Sequence, residues 1–364
     1  MKRIITKSNV CVLEDINEKY IYNFSTVELL SDGSFYICGR EITNLEDPLG
    51  RSVAVKYFLN EKRVEKVTSP ITKDAQKYPD KGFLMCYVTE ISENNLIAVY
   101  GMLDTDLTKP LFAVKGDGMQ NMACRISRSA DNGVTWSGGE DIAFTHDDLI
   151  IPGKIIKLKD GTIGFPVEMH NHYGKDYNEP IQGRFCYSTN GGKTFDKVSK
   201  IPHDKGILAG DGRATQDKDG NLIVYYWFFD MNTGKDLNNH RTITRDNGRS
   251  FEPAEPVDLH MQITSPIYVD EQTFVAVYQE RFSESPGLKA AISTDGGYSF
   301  DLKNSAVIYG ADSVPDTANP FLSFNSFKFG CSYVSMYEKN KGLVVYWNEL
   351  EHGISISACD FEIV

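Results

Sequence analysis

Ser129-Ala-Asp-Asn-Gly-Val-Thr-Trp136 returns as Ser188-Thr-Asn-Gly-Gly-Lys-Thr-Phe195, as Thr244-Arg-Asp-Asn-Gly-Arg-Ser-Phe251 and as Ser293-Thr-Asp-Gly-Gly-Tyr-Ser-Phe300. The starts lie 59, 56 and 49 residues apart, the size of one four-stranded blade in a radially repeated β-structure. Each copy reads as a turn. The Asp or Asn hydrogen-bonds its own backbone, the Gly takes a positive φ, and the Thr or Ser hydroxyl cross-links the loop. The final Trp or Phe plugs the space between blades. Only the second copy departs, with Asn190 for Asp.

Upstream of each copy stands a weaker repeat: an alternating apolar strand, a tight turn and a second such strand. It is clearest in Thr26-Val-Glu-Leu-Leu-Ser-Asp-Gly-Ser-Phe-Tyr-Ile, Ile155-Ile-Lys-Leu-Lys-Asp-Gly-Thr-Ile-Gly-Phe and Ala214-Thr-Gln-Asp-Lys-Asp-Gly-Asn-Leu-Ile-Val-Tyr, with degenerate copies at Asn94-Asn95, Asp270-Glu271 and Lys341-Gly342. Six copies predict an all-β, six-bladed β-propeller, a single domain over residues 1–364. Blades two to five carry the eight-residue phrase; blade one (roughly 22–70) and blade six (roughly 325–364) do not. The stretch from Arg3 to Leu13 is expected to close blade six, leaving no open edge. No segment shows a helical period.

Hydrophobic residues make up 41 % of the chain and aromatics 12 %, enough for a core. No apolar run approaches the ~20 residues that cross a bilayer. The start, Met1-Lys-Arg-Ile-Ile-Thr-Lys-Ser-Asn, lacks the apolar stretch of a secretory signal, so a cytoplasmic location is expected. Seven scattered cysteines without metal spacing read as reduced, mostly buried thiols, and neither a metal nor a cofactor is expected. A net charge of −12 without a basic cluster argues against nucleic acid and anionic membranes as partners. An anionic small molecule is still admitted, since a local pocket can be positive inside an acidic protein.

The eight-residue phrase resembles the Asp-box, or bacterial neuraminidase repeat, of the sialidase superfamily, and the resemblance covers nearly the whole chain. In that family the box joins the third and fourth strands of a blade, away from the active site. The resemblance therefore implies a sialidase-like propeller and a glycoside hydrolase releasing a terminal sugar, with the chemistry elsewhere.

In an up-and-down blade the Asp-Gly turn and the box share one face. The opposite face holds the start of each first strand and the loop after each second strand. First-strand starts supply Asn23, Pro152, Asp211, Arg213, Thr264 and Tyr333; the loops supply Arg40, Glu41, Asp104, Asp106, Glu168, His170, Asn171, His172, Asp230, Glu280, Arg281 and Glu349. The resemblance makes Tyr333 the nucleophile, because a sialidase tyrosine opens the last blade 9 residues before the turn glycine and 16 before a glutamate, and Gly342 and Glu349 keep both offsets. The same comparison puts Asp211 where the family has the glutamate that is base to the tyrosine. A phenol ionises near pH ~10, so it needs such a partner at neutral pH.

Three arginines grip the sialic-acid carboxylate in that family, and this sequence has none at their positions: Asn23, the run Tyr225-Tyr-Trp-Phe and Pro286 stand there. The sugar is therefore not necessarily sialic acid. Arg40, Arg213, Arg281, His170, His172, Glu280 and Glu349 are expected to position it, with Trp227 or Trp347 stacking on its ring. Glu168 and Asp211 as an ordinary carboxylate pair are an alternative to the tyrosine mechanism. His170 and His172 lie on one side of an extended chain, with no third metal ligand evident. Two rival readings remain: a propeller that binds carbohydrate or a partner without catalysis, and a glycan lyase or epimerase using Tyr and His as acid and base.

Overall fold

The computed structural model describes residues 2–15, 21–42, 49–109, 111, 118–143, 149–173, 182–260, 264–280, 284–310, 329–350 and 353–364. Six antiparallel sheets of four main strands each follow one another around an axis as a β-propeller. The first strand of every blade faces that axis: Ile21–Leu29, Gly82–Ser92, the interrupted pair Leu149–Pro152 and Ile156–Lys157, Ile207–Gln216, Thr264–Asp270 and Phe329–Glu338. The second strands are nearly continuous apolar runs, such as Leu222–Asp230, because both of their faces are covered by neighbouring blades.

The N-terminal strand Ile4–Asp15 is the outermost strand of the last sheet, antiparallel to Gly353–Ile363 from Ile4↔Ile363 to Asp15↔Ile354. Joining the two ends of the chain in one sheet gives the last blade its fourth strand.

The four repeats share one hydrogen-bond pattern. In the first, Ser129 Oγ donates to Asp131 Oδ1 (2.8 Å) and accepts from Gly133 N (2.9 Å), while Thr135 donates its N–H (2.9 Å) and its hydroxyl (2.5 Å) to Asp131. The third and fourth repeat it around Asp246 and Asp295. Asn190 preserves the turn by reversing one bond, its amide donating to Thr194 Oγ1 at 2.9 Å where an aspartate would accept.

Each turn is latched to the blade before it. Arg128 Nη2 donates to Gly192 O (2.5 Å), Ser199 Oγ to Gly248 O (2.5 Å) and Arg241 Nη1 to Gly296 O (2.8 Å). The closing aromatics Trp136, Phe195, Phe251 and Phe300 are buried, Trp136 against Tyr36 of blade one and Phe251 against Phe185 of blade three. Burying such a ring contributes about 2–3 kcal/mol, so the repeat is a blade-to-blade fastener.

One departure from the all-strand expectation is the one-turn helix Thr72–Lys77. Tertiary contacts hold it: buried Asp74 pairs with Arg125 Nε at 2.6 Å and accepts from Tyr100 Oη (2.8 Å) and Gly139 N (3.0 Å). Six residues are too few for a periodic signal. No helix among the described residues is long and apolar enough to cross a membrane.

Candidate active site

Strands that converge on an axis crowd one another, and four of the six first strands relieve this with a register shift at the same level: Phe24/Thr26, Leu84/Cys86, Gly210/Arg213 and Gly330/Tyr333. A bulge re-aims the side chains beside it. At the blade-four bulge Asp211 adopts φ 52°, a left-handed conformation that costs a non-glycine residue about 1 kcal/mol. Next to it, a Cβ on Gly212 would lie 2.7 Å from the Tyr226 ring and 3.0 Å from Pro166, so that position requires glycine.

The rung at this level puts three large side chains in equivalent positions. Tyr87 pairs with Val99, Arg213 with Tyr225 and Tyr333 with Val345, each partner standing four residues after Asn95, Asn221 or Lys341. Blades one and five offer only Thr26, opposite Cys38, and Ser265, opposite Val277. Alternate blades thus send two phenols and a guanidinium to the axis. They meet: Tyr87 Oη and Tyr333 Oη are 2.8 Å apart, and the Arg213 guanidinium lies 5.3 Å from the Tyr333 ring centre.

Carboxylates complete the cluster. Arg213 Nη2 is 3.7 Å from Asp211 Oδ1, the Asp211 N–H donates to Glu168 Oε1, and Glu168 Oε2 accepts from His170 Nε2 at 3.2 Å. Burial opposes the charge on Arg213, but the Tyr333 and Tyr87 phenols and the Asp211 and Glu168 carboxylates outweigh it, so the guanidinium stays charged. Burial, aided by the Glu168 charge, pushes the Tyr226 phenol far up.

Tyr333, Asp211, Arg213, Glu168 and His170 therefore come together from blades six, four and three. Other expected residues are placed differently. Arg40 is buried and donates to Phe83 O at 2.6 Å, which commits it to the joint between blades one and two. His172 lies further out, its Nδ1 donating to Asn121 Oδ1 at 2.7 Å. Glu280 ends the second strand of blade five, partly buried. Arg281 lies outside the described residues, as do the side chains of Asn23 and Glu349. The expected stacking surfaces are not available as such: Trp227 and Trp347 are 5 % and 2 % exposed, and Trp227 Nε1 donates to Asp236 at 2.9 Å. Trp227 packs within blade four against Leu208, Phe229 and Met231, and Trp347 is buried in the core that blades one, five and six share.

Beneath the rung, on the side of the turns, the channel widens into a cavity of about 320 Å³ lined by Glu28, Lys154, Lys157, Thr215, Arg213 and Tyr333 among others. Lys157 and Gln216 line it one rung or less from the ends of their strands, opposite Ile163 and Leu222. Tyr333 and Arg213 thus stand between this cavity and the opposite face. Among the described residues no group of three or more His, Cys, Asp or Glu side chains is placed to hold a metal ion.

Two members of the site escape a reading by sequence, Tyr87 and Tyr226. Tyr226 is hidden in an apolar run. Tyr87 has a usable signal: counted back from the strand that follows, it holds the same position as Tyr333.

No family model matches the sequence, and neither does any curated protein. Solved structures match over almost the full length. A protein of unknown function from Dyadobacter fermentans is 16 % identical with a TM-score of 0.76, each chain covered to 99 %. The Hadza microbial sialidase Hz136 is 14 % identical with a TM-score of 0.64, over 94 % of this chain and 65 % of that one. An intramolecular trans-sialidase from Ruminococcus gnavus is 10 % identical with a TM-score of 0.61, over 96 % of this chain and 95 % of that one. At such identities the likeness is one of fold: the chain is a six-bladed propeller of the shape that sialidases share.

Proposed function

We propose that this protein is a glycoside hydrolase that releases a terminal sugar by way of Tyr333. The observation that carries the reading is the cluster at the axis, in which the Arg213 guanidinium lies against the Tyr333 ring and 3.7 Å from Asp211, with Glu168 bonded to the Asp211 N–H. In this mechanism Tyr333 Oη attacks the anomeric carbon as the glycosidic C–O bond breaks, and the phenol proton passes to the Asp211 carboxylate. The Glu168–His170 pair protonates the departing oxygen, and water later cleaves the tyrosyl glycoside with the proton transfers reversed. Structural neighbours that are sialidases support a carbohydrate substrate.

One observation favours a second reading, a propeller that binds a sugar without cleaving it. Arg213 lies against the Tyr333 ring, whereas Arg40 bonds to Phe83 O, and no three arginines converge on the cluster among the described residues. A neutral sugar, or one held by a single guanidinium, suits this better than a three-arginine grip.

The test is hydrolysis of a panel of fluorogenic glycosides, neutral, uronic and sialic, by the wild type and by Tyr333→Phe and Asp211→Asn. Release from one class, lost in both variants, is the expected result. Hydrolysis that survives both changes overturns the site; binding to a glycan array with no hydrolysis of any panel member favours the second reading.

A further inference from the structure

The rung at the axis holds a phenol that the mechanism above leaves unused. Tyr87, from blade two, touches Tyr333 from blade six with their oxygens 2.8 Å apart and their rings edge-on, 6.0 Å between centroids at 69°. Both side chains are buried, at 2 % and 6 % exposure. Two hydroxyls that share one hydrogen bond place a single hydrogen between the oxygens, so one must be the donor.

The Tyr87 hydroxyl has a second acceptor within reach, Met85 Sδ at 3.9 Å, but a thioether accepts far more weakly than a phenol oxygen, and more weakly still than a phenolate. Facing the pair are the Arg213 guanidinium and the Asp211 carboxylate, with Glu168 behind them and the Glu28–Lys154 ion pair (3.1 Å) in the cavity below. Burial, then the neighbouring Tyr333 and Asp211, holds the Tyr87 phenol well above its ordinary value in spite of Arg213. Tyr87 therefore still carries a hydrogen to donate once the Tyr333 proton has left. Arg213 lies against the Tyr333 ring, where it favours negative charge on that phenol.

We propose that Tyr87 is a positioning residue for Tyr333: its hydroxyl donates to the Tyr333 oxygen, directs that oxygen's remaining lone pairs, and stabilises the phenolate whenever the Tyr333 proton has left. The inference rests on the reading of Tyr333 as nucleophile. It adds a consequence for each half of the reaction. As the phenol oxygen bonds to the anomeric carbon it becomes an aryl ether, a weaker acceptor, and the Tyr87 bond slackens. When water attacks and the C–O bond to Tyr333 breaks, the electron pair returns to the phenol oxygen and the Tyr87 bond tightens again, easing departure. Tyr87 itself gains and loses no proton.

The experiment is a pH titration of the whole protein labelled with 13Cζ-tyrosine, read by NMR, for the wild type, Tyr87→Phe and Tyr333→Phe. Phe at position 87 keeps the edge-on ring contact and removes only the hydroxyl. The expected result is that Tyr333 ionises about one to two pH units higher in Tyr87→Phe, the loss of one hydrogen bond to a charged group. In Tyr333→Phe the Tyr87 resonance should shift, because a coupled pair has been reduced to one group. A Tyr333 titration unchanged by Tyr87→Phe overturns the proposal. Should Tyr87→Phe not fold, a Tyr87 resonance identical in Tyr333→Phe and the wild type overturns it instead.

Neither readout depends on turnover. A shifted titration in a protein that hydrolyses no glycoside upholds the phenol pair and removes the nucleophile. Hydrolysis lost in Tyr333→Phe alongside an unshifted titration in Tyr87→Phe does the reverse.

Discussion

The two ends of the central channel obey different rules. On the turn side, four loops repeat one set of hydrogen bonds around Asp131, Asn190, Asp246 and Asp295, and each of the last three is tied to the blade before it. On the other side the backbone bulge recurs but the side chains do not: blades two, four and six contribute Tyr87, Arg213 and Tyr333, blade four alone adds a left-handed aspartate, and blade three adds Glu168 and His170. Repetition serves the ring, which needs the same joint at every blade. Chemistry needs groups that differ, and the proposed site lies where the side chains stop repeating. The turn side carries its charges in satisfied, mostly exposed loops; the axis carries a guanidinium only 13 % exposed among phenols.

The sharpest way to break this contrast is Tyr333→Phe. We expect kcat/KM to fall about a thousandfold or more with the fold intact, which circular dichroism and a fluorogenic glycoside assay would measure together. A loss below tenfold would mean that the axis is no more reactive than the turns.

Asp211 separates backbone from side chain. Asp211→Gly removes the carboxylate and relieves the left-handed φ, so activity should fall about a hundredfold or more while stability stays within about 1 kcal/mol of the wild type. Asp211→Ala keeps the strain and should be about 1 kcal/mol less stable than the glycine variant in urea unfolding. If the two variants unfold alike, the left-handed φ stores nothing.

On the turn side the expected effects reverse. Asp246→Ala leaves the Ser250 and Arg249 N–H groups and two hydroxyls without their acceptor, and should cost about 1–3 kcal/mol with unchanged activity per folded molecule. Burial opposes ionisation of Asp246, yet hydrogen bonds from Ser250, Thr244 and Arg249 pull it down to about 2. Its folded value lies below its unfolded one, so the stability it adds is complete above pH ~4 and drains away as pH falls toward ~2. An acid titration of the wild type should show that limb, and Asp246→Asn should flatten it.

The smallest effect should come from Asn190→Asp. The amide already reproduces the turn with one bond reversed, so stability should change by no more than about 0.5 kcal/mol. A larger gain would mean that the reversed bond is poorly formed.

Much of the architecture was legible because turn chemistry is local. An Asp, a Gly and a hydroxyl within eight residues define their own hydrogen bonds wherever they sit. The same locality let offsets from the turns place Asp211 and Tyr333 on the axis, since a strand fixes the rung once its end is known. Arg40 shows the limit. Its position at the end of a second strand reads as a rim residue, and only the arrival of Phe83 from the next blade reveals what its guanidinium bonds. Trp227 and Trp347 fail for a related reason, since tertiary packing, within blade four for the first and in the core shared by blades one, five and six for the second, decides which ring faces open space. The bulges that aim Asp211 and Tyr333 have no local signature beyond Gly210-Asp-Gly212, because they answer crowding at the axis, a property of six strands at once.

The most direct test is to trap the intermediate. A fluorinated glycosyl fluoride, built on the sugar class that the glycoside panel identifies, slows the second half of the reaction and lets a covalent glycosyl-protein accumulate. Intact-mass and peptide mapping should find one glycosyl unit on Tyr333 and none in Tyr333→Phe. An adduct on Glu168 or Asp211, or steady hydrolysis with no adduct, would contradict a nucleophilic Tyr333 at the axis.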